Sequence, residues 1–333
     1  MELYKFYTIL CILLLIIAVL VFLLVKTYKF FTAQKHRMEE ETKIYRDVLE
    51  RESDIYKRFF PEELPELLGV RQAKDITTKL QRSFVSTVMW VNVLDYTDAL
   101  HALKAGQLYL AINQVFSSII PIVMRSGGII DHFDRAGMNG LYMEQSEAAL
   151  KAAISMCETV DLLGEPKKYS GFSIGISHGP VMFGIVGSVQ RIAAVSMSES
   201  IRMSELLQEK ASKYGARILA TEYFVERIPN FQKNYNSRIL GYFYDASQKQ
   251  MIRIYDIYDG DSQERKQGKR RTRMIFEQGV DRFIHGNYGD ARLHFVEVLK
   301  ADRYDLAARE YLFLCDTLSN GEQKDINICI ETF

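Results

Sequence analysis

The chain has 333 residues, 48% of them hydrophobic, and its 42 basic and 42 acidic residues give a formal net charge of zero. This composition excludes a disordered chain and a protein that binds nucleic acid through its overall charge. The length is sufficient for a tether, one sizeable core and a small accessory module. The four cysteines lack the spacing of metal ligands, which indicates unpaired thiols; they are Cys11, Cys157, Cys315 and Cys329.

An uncharged stretch near the amino terminus, Phe6 to Val25, consists almost wholly of Leu, Ile, Val and Phe. As a helix it spans a hydrocarbon core of ~30 Å, and no Ala-x-Ala cleavage site follows it. The basic residues that follow the stretch are Lys26, Lys29, Lys35 and Arg37, whereas only Lys5 precedes it. By the positive-inside rule we expect residues 1–30 to be a single-pass anchor in the inner (cytoplasmic) membrane of a bacterium, with the remaining chain in the cytoplasm.

Residues 31–60 are rich in Glu, Arg and Lys and predict a helical stalk. Its apolar residues follow a rough helical stripe, namely Ile44, Val48, Ile55 and Phe59. Two interpretations remain open. The stalk is either a parallel coiled coil or a single charged helix that packs on its own domain. The single helix stays open because the stalk is short and Arg51 lies on the seam of the coiled coil.

The segment from Gly127 to Tyr142, GGIIDHFDRAGMNGLY, predicts a strand, a tight turn and a second strand. It resembles the pattern GGxIDKYxGDxxMALF of class III adenylyl/guanylyl cyclases, in which the aspartate after the turn glycine is one of two that bind metal ions. Ala136 stands at that position. The other metal aspartate closes an apolar first strand, and the corresponding residue is Asn92.

The resemblance covers a predicted domain of residues 61–260. Residues 172–187 are similar to the family's GIGIHTGPVMLGTVG segment and predict a β-hairpin, residues 188–214 lead to the dimer-facing helix, and residues 253–257 match the closing strand. The implied fold is α+β, a ferredoxin-like βαββαβ core with extra strands. Residues 175–179 also fit the G-x-S-x-G nucleophile elbow, but a strand, not the required helix, is predicted to follow.

The resemblance implies a two-metal reaction that brings a ribose 3′-hydroxyl in line with an α-phosphate. The remaining family positions are also substituted. His132 stands for the base-selecting lysine, Ala193 for its aspartate or cysteine partner, and Arg202 and Leu206 for an asparagine and an arginine that bind ribose and stabilise charge. We therefore expect a pseudoenzyme that has no catalytic residue, metal ion or cofactor, since each such loss costs about 10²- to 10³-fold in rate.

Two residual activities compete with this interpretation. Asp134, Glu199 or Asp95 could replace the missing metal ligands, although turns attract aspartate for local hydrogen-bonding reasons alone. The segment Asp95-Tyr96-Thr97 could retain a phosphate-binding loop of backbone N–H groups, although an ordinary helix cap has the same pattern.

The carboxy-terminal residues predict a basic linker at 261–272, helices at 273–318 and a tail at 319–333. The linker could contact anionic lipid or RNA, but a solvated helix start is favoured, and we expect no nucleic-acid partner. The helices resemble one tetratricopeptide unit. They either form a small α-helical hairpin that closes the domain or present a groove to a protein partner.

Two classes of function follow. The favoured one is a catalytically inactive cyclase homologue, a homodimer or heterodimer on the cytoplasmic face of the membrane that acts as a scaffold or regulatory interaction protein in signal transduction. The alternative is a divergent adenylate/guanylate cyclase or a nucleotide sensor in cyclic nucleotide signalling.

Overall fold

The computed structural model describes residues 2–59, 63–72, 75–93, 101, 104–163, 171–188, 190–245 and 249–319. The chain divides into two compact units, residues 1–62 and 63–333. The first unit contains one continuous helix, α1 (Glu2–Phe59), whose 58 residues correspond to a length of about 87 Å. Residues 13–25 of this helix have exposed apolar side chains.

In the described part of the chain, two helices are long and apolar enough to cross a membrane. One is the segment Leu13–Arg51 within α1, and the other is Gly106–Arg125, which is partly buried in the second unit as a core helix would be. The amino-terminal helix is therefore a candidate span. That it crosses a membrane once, with the inner membrane as its location, stays a prediction.

The second unit contains a mixed sheet of eight strands within the described residues. The strands are β1 (Gln81–Asn92), β2 (Ile129–Asp134), β3 (Gly137–Tyr142), β4 (Ser173–Ser188), β5 (Arg191–Met197), β6 (Ile218–Thr221), β7 (Ser237–Asp245) and β8 (Gln250–Ile257). Their order across the sheet is β2-β3-β1-β4-β6-β8-β7, and β5 pairs with β4 outside this path.

The helices of this unit differ widely in length. They are α2 (Leu64–Leu67), α3 (Ala105–Arg125), α4 (Ser146–Leu162), α5 (Glu199–Ala211), α6 (Glu222–Val225), α7 (Phe231–Asn234), α8 (Gln263–Ile284), α9 (Tyr288–Ala301) and α10 (Leu306–Ser319). The succession β1, α3, β2, β3, α4, β4 is the βαββαβ order expected from the sequence. Apolar residues of α3 and α4 pack on one face of β1 and β4 and form the main core, which includes Met89, Val115, Ile119, Ala153 and Ile176.

The predicted β-hairpin at residues 172–187 is wrong, because β4 runs unbroken from Ser173 to Ser188. Gly179 and Pro180, the residues expected to turn the chain, pair with Ser86 and Val85 of β1. Proline is tolerated here because β6 pairs with β4 only as far as Ile176 and β5 begins to pair further on, so this edge lacks a strand partner. The Ser177 segment is thus strand on both sides, which does not fit a nucleophile elbow.

Helix α5 crosses the face of β4 opposite the main core. It begins at a cap in which the Ser198 hydroxyl accepts the N–H of Ile201 at 3.0 Å. The close approach depends on Gly175, since a Cβ at that position would lie 1.9 Å from the backbone oxygen of Ser204. This packing brings the middle of α5 beside the end of β1.

The carboxy-terminal helices α8, α9 and α10 pack on the sheet and share a second core with it. This core joins Leu240 and Ile254 of the sheet to Phe276, Phe295 and Tyr311 of the helices. The contacts favour the interpretation in which the helices close their own domain. Residues 320–333, most of the predicted tail, lie outside the described residues.

From Gln263 onward, the segment predicted as a basic linker is helix instead. The reason is that its side chains have partners within the domain. Lys269 is buried and pairs with Asp256 at 2.9 Å and with Asp261 at 2.8 Å, and Arg270 donates to Asn236 at 2.8 Å. These contacts support a helix start in preference to a segment free to bind lipid or RNA.

An ion network connects the helices to the sheet. Arg238 of β7 donates to Asp256 of β8 at 3.0 Å and to Asp305, which precedes α10. Lys269 of α8 completes the group, and the Arg238 guanidinium lies 4.1 Å from the ring centroid of Phe276. We refer to Arg238, Asp256, Lys269, Asp261 and Asp305 as the Arg238 network.

Candidate functional site

The two positions expected to hold metal carboxylates meet at one end of the sheet. Asn92 is the last residue of β1 and pairs with Gly137, the first residue of β3. Ala136 lies in the tight turn before β3, where its carbonyl oxygen accepts the N–H of Val93 at 2.8 Å. Asn92 and Ala136 line a cleft of about 200 Å³, called the Asn92 cleft below.

The Asn92 cleft is acidic. Among the described residues, its walls carry the carboxylates of Asp134, Glu205 and Glu209 and the guanidinium of Arg135, which pairs with Asp134 at 3.1 Å. Burial raises the pKa of Glu205, and the nearby charges of Glu209 and Asp134 add to the rise. Among the described residues, no group of three or more His, Cys, Asp or Glu side chains is arranged to hold a metal ion.

His132, at the position of the base-selecting lysine, lies beside this cleft and contacts Trp90 edge to face, with ring centroids 5.5 Å apart. Its Nδ1 donates to the Asp131 carboxylate at 2.8 Å. That hydrogen bond raises the pKa of His132 against the opposing effect of burial, and the charges of Asp131, Asp134 and Glu205 add to the rise.

Asp131 is the extra residue of a β-bulge in β2, since the register with β3 shifts between Ile130 and His132. Its side chain is 3% exposed and also accepts hydrogen bonds from Asn139 of β3, at 3.1 Å, and from Ser196 of β5. The carboxylate therefore ties the hairpin to the segment that leads into α5. These three hydrogen bonds give the Asp131 carboxylate a structural role.

The other three family positions are not among the residues that line the Asn92 cleft in the described chain. Ala193 lies on β5, paired with Val186. Arg202 and Leu206 lie on α5, where Arg202 pairs with Glu199 at 3.1 Å and Leu206 packs against the second core. The structure thus brings Asn92 and Ala136 together and keeps the remaining half of the family site apart from them.

The candidate replacement ligands have different fates. Asp134 does line the Asn92 cleft, as its spacing from Ala136 predicts. Glu199 is engaged with Arg202. Asp95 lies outside the described residues, as does the whole of the possible phosphate loop Asp95-Tyr96-Thr97, so that prediction remains untested.

Sequence reasoning missed Glu205, Glu209 and Arg135 as residues of the cleft. Glu205 and Glu209 are four residues apart, and this spacing predicts that they share a helix face. The local sequence does not reveal that this face meets the end of β1. Arg135 has a left-handed backbone with φ of 45°, at the position of the turn glycine in the family pattern.

Comparisons with known proteins agree with this architecture. No family model matches the sequence. The chain is 20% identical over 264 residues to an adenylate cyclase, terminal-differentiation specific, of Dictyostelium discoideum, a match that covers 75% of this chain and 12% of that protein. Two structures of a bacterial light-regulated adenylyl cyclase superpose with TM-scores of 0.56 and 0.57 at 15% and 14% identity.

The second unit therefore has the mixed α/β fold of adenylyl cyclase structures. The chain is thus similar in sequence to an adenylate cyclase and similar in fold to adenylyl cyclase structures. Each superposition covers 68% of this chain and 66% of the cyclase chain. This chain thus spans about an eighth of the curated relative and just under two thirds of the solved ones.

Proposed function

We propose that this protein is a membrane-anchored, catalytically inactive relative of the class III nucleotide cyclases that acts as a dimeric scaffold or regulatory interaction protein. The observation that carries the proposal is the composition of the Asn92 cleft. A neutral amide and a methyl group, Asn92 and Ala136, occupy the two positions where the family has metal carboxylates. Two divalent cations need carboxylate charge as well as oxygen ligands, and the positions offer neither in sufficient number.

The charge of the cleft also opposes a nucleoside triphosphate that arrives without metal ions. Asp134, Glu205 and Glu209 face the space, and Arg135 balances only one of them. Two like charges 4 Å apart repel by about 1 kcal/mol in water and about 4 kcal/mol near a protein surface. The several negative charges of a nucleoside triphosphate would each be repelled by these carboxylates.

Dimerisation is supported by an apolar surface on the strands that extend beyond the helices. Met182 of β4 and Met197 of β5 are direct cross-strand neighbours and are 51% and 56% exposed. Val85 of β1 and Val186 of β4 are exposed on the same face. Outward apolar side chains on the carboxy-terminal helices, Met274, Leu293 and Phe313, support an additional protein partner there.

The test is an assay of the full-length protein, in detergent, for cyclic nucleotide formed from ATP or GTP with Mg²⁺ or Mn²⁺. We expect no product above the rate without protein. A divergent cyclase is the second candidate, because Asp134 lines the cleft. Metal-dependent turnover that Asp134→Ala abolishes would establish that candidate and reject inactivity.

The scaffold role has its own test. Crosslinking in cells, followed by identification of the attached proteins, should recover a second copy of the chain or a stable partner. A full-length protein that sediments as a monomer at tens of micromolar and crosslinks to nothing would contradict the proposed role, even if it makes no cyclic nucleotide.

A further inference from the structure

A second cleft, of about 560 Å³, opens beside the middle of β4 and is called the His178 cleft below. Its location follows from strand pairing. Strand β6 pairs with β4 only at residues 174–176, and β5 begins to pair at Met182, so residues 177–180 line a gap between two strands. Val85, in the first half of β1, also lines it, whereas the Asn92 cleft lies at the other end of that strand.

A buried pair of hydroxyl groups holds His178 at this cleft. Nδ1 of His178 lies 3.0 Å from the Thr87 hydroxyl oxygen, which lies 2.7 Å from the hydroxyl oxygen of Ser146. Both hydroxyl residues are buried. The imidazole is thereby oriented, and no partner for its Nε2 is found among the described residues. An oriented imidazole with one nitrogen available is suited to a ligand.

Arg227, which follows α6, lines the same cleft as His178. Burial, and then the charge of Arg227, lowers the pKa of His178, which shows that the guanidinium lies close to the imidazole. Within the described part of the chain, the Arg227 side chain makes no ion pair or hydrogen bond.

The two acidic groups of the wall each have a partner. Asp245 accepts the Tyr223 hydroxyl at 2.9 Å, and Glu199 pairs with Arg202 at 3.1 Å. The remaining wall is mostly apolar and includes Met203, Phe243 and Ile252, together with Ser177 and Ser200. The cleft thus combines one available guanidinium and one available imidazole nitrogen with an apolar surface, at a volume typical of small-molecule sites.

We propose that the His178 cleft binds an organic anion, a molecule with an apolar body and one phosphate or carboxylate group, held by Arg227 and His178. Charge-assisted hydrogen bonds from the guanidinium bind the anionic group, and the apolar wall buries the body. The site is separate from the Asn92 cleft, since the two share no lining residue among the described residues, although Val85 also belongs to the apolar surface proposed for dimerisation.

The experiment is calorimetric titration of the full-length protein, in nanodiscs of phosphatidylcholine, with phenyl phosphate, benzoate and inorganic phosphate. We expect phenyl phosphate or benzoate to bind, and the tighter of the two identifies the anionic group. Arg227→Gln should weaken that binding about tenfold, the value of one charge-assisted hydrogen bond. The matched control is Arg282→Gln, another exposed arginine, which should bind as the wild type does.

A proton readout tests the role of His178. The groups that face it are Thr87, Ser146, Arg227, Tyr223, Asp245 and Glu199. A bound anion favours the imidazolium, so binding at neutral pH should take up a proton, measured in buffers of different ionisation enthalpy. His178→Gln should remove this uptake.

Three results would overturn the proposal. These are no binding of either organic anion at millimolar concentration, equal binding by the Arg227→Gln variant, and inorganic phosphate binding as tightly as both organic anions. The last result would show that the apolar wall contributes nothing.

Discussion

The Asn92 cleft and the Arg238 network both hold more carboxylates than cations, but they differ in how far those charges are paired. In the network, the side chains of Arg238 and Asp256 are fully buried, Asp305 is 1% exposed, and every carboxylate has a cationic partner. In the cleft, three carboxylates face one guanidinium, and Asp134 is 43% exposed.

The difference lies in access to water. A buried charge without a partner costs several kcal/mol, so the network has to be complete for the domain to fold. Water solvates the unpaired carboxylates of the cleft. Substitutions there therefore cost little stability and can abolish function without unfolding the domain. The comparison predicts large effects on folding in the network and effects on binding in the cleft.

The largest expected effect is that of Arg238→Met. Burial opposes the charge of Arg238, but Asp305 and Asp256 outweigh it and raise its pKa. Its removal leaves buried Asp305 without its ion-pair partner and leaves Asp256 with Lys269 alone. The free energy of unfolding should fall by about 3 to 5 kcal/mol. Chemical denaturation, followed through the fluorescence of the single tryptophan, Trp90, measures it.

The control for this prediction is Arg282→Met, which removes an exposed arginine from the same group of helices. It should leave stability within about 0.5 kcal/mol of the wild type. A similar small change in Arg238→Met would mean that the network does not hold the helices to the sheet.

The next effect is on metal binding. The double substitution Asn92→Asp with Ala136→Asp returns two carboxylates to the acidic cleft, and Mn²⁺ affinity should rise by at least about tenfold, the scale seen even for outer-shell partners of metal sites. Electron paramagnetic resonance of free Mn²⁺ measures the affinity. Ala193→Asp, on β5 and away from the cleft, is the matched control, and an equal gain in that variant would refute the assignment.

A smaller effect is expected for Arg135→Gly. Arg135 has φ of 45°, a left-handed conformation that costs a residue with a Cβ about 1 to 2 kcal/mol. Glycine removes this strain but adds freedom to the unfolded chain, so a net gain of about 0.5 kcal/mol is expected. Thermal unfolding tests it against Arg135→Lys, which keeps the strain. A destabilised glycine variant would show that the pair with Asp134 matters more than the strain.

The smallest effect is a dependence of stability on pH. The pKa of His132 is raised above 6.5 by its hydrogen bond to Asp131, so its contribution is complete below pH 6.5 and is lost as pH rises through the folded-state pKa. His132→Gln should lack this loss. Melting temperatures recorded from pH 6.5 upward compare the two proteins, and parallel curves would disprove the contribution.

Much of the fold was predictable because its signals are local. The hairpin of β2 and β3 follows from turn residues between two short strands, and the closing strand at residues 253–257 lies within β8. The hairpin expected at residues 172–187 failed because Gly179 and Pro180 signal a turn, whereas pairing with the long strand β1 keeps them extended. Strand pairing across the sheet outweighs the local preference of two residues.

The sequence by itself determined the apolar amino-terminal helix, the order of strands and helices in the core, and the identity of Asn92 and Ala136, because periodicity and residue type at aligned positions need no long-range information. Only the tertiary structure decided that Glu205 and Glu209 make the Asn92 cleft acidic, and that Lys269, one of the basic residues after Gln263, belongs to the Arg238 network. Both depend on contacts between distant segments, and the charge of a side chain does not reveal which partner, or how much water, it will meet.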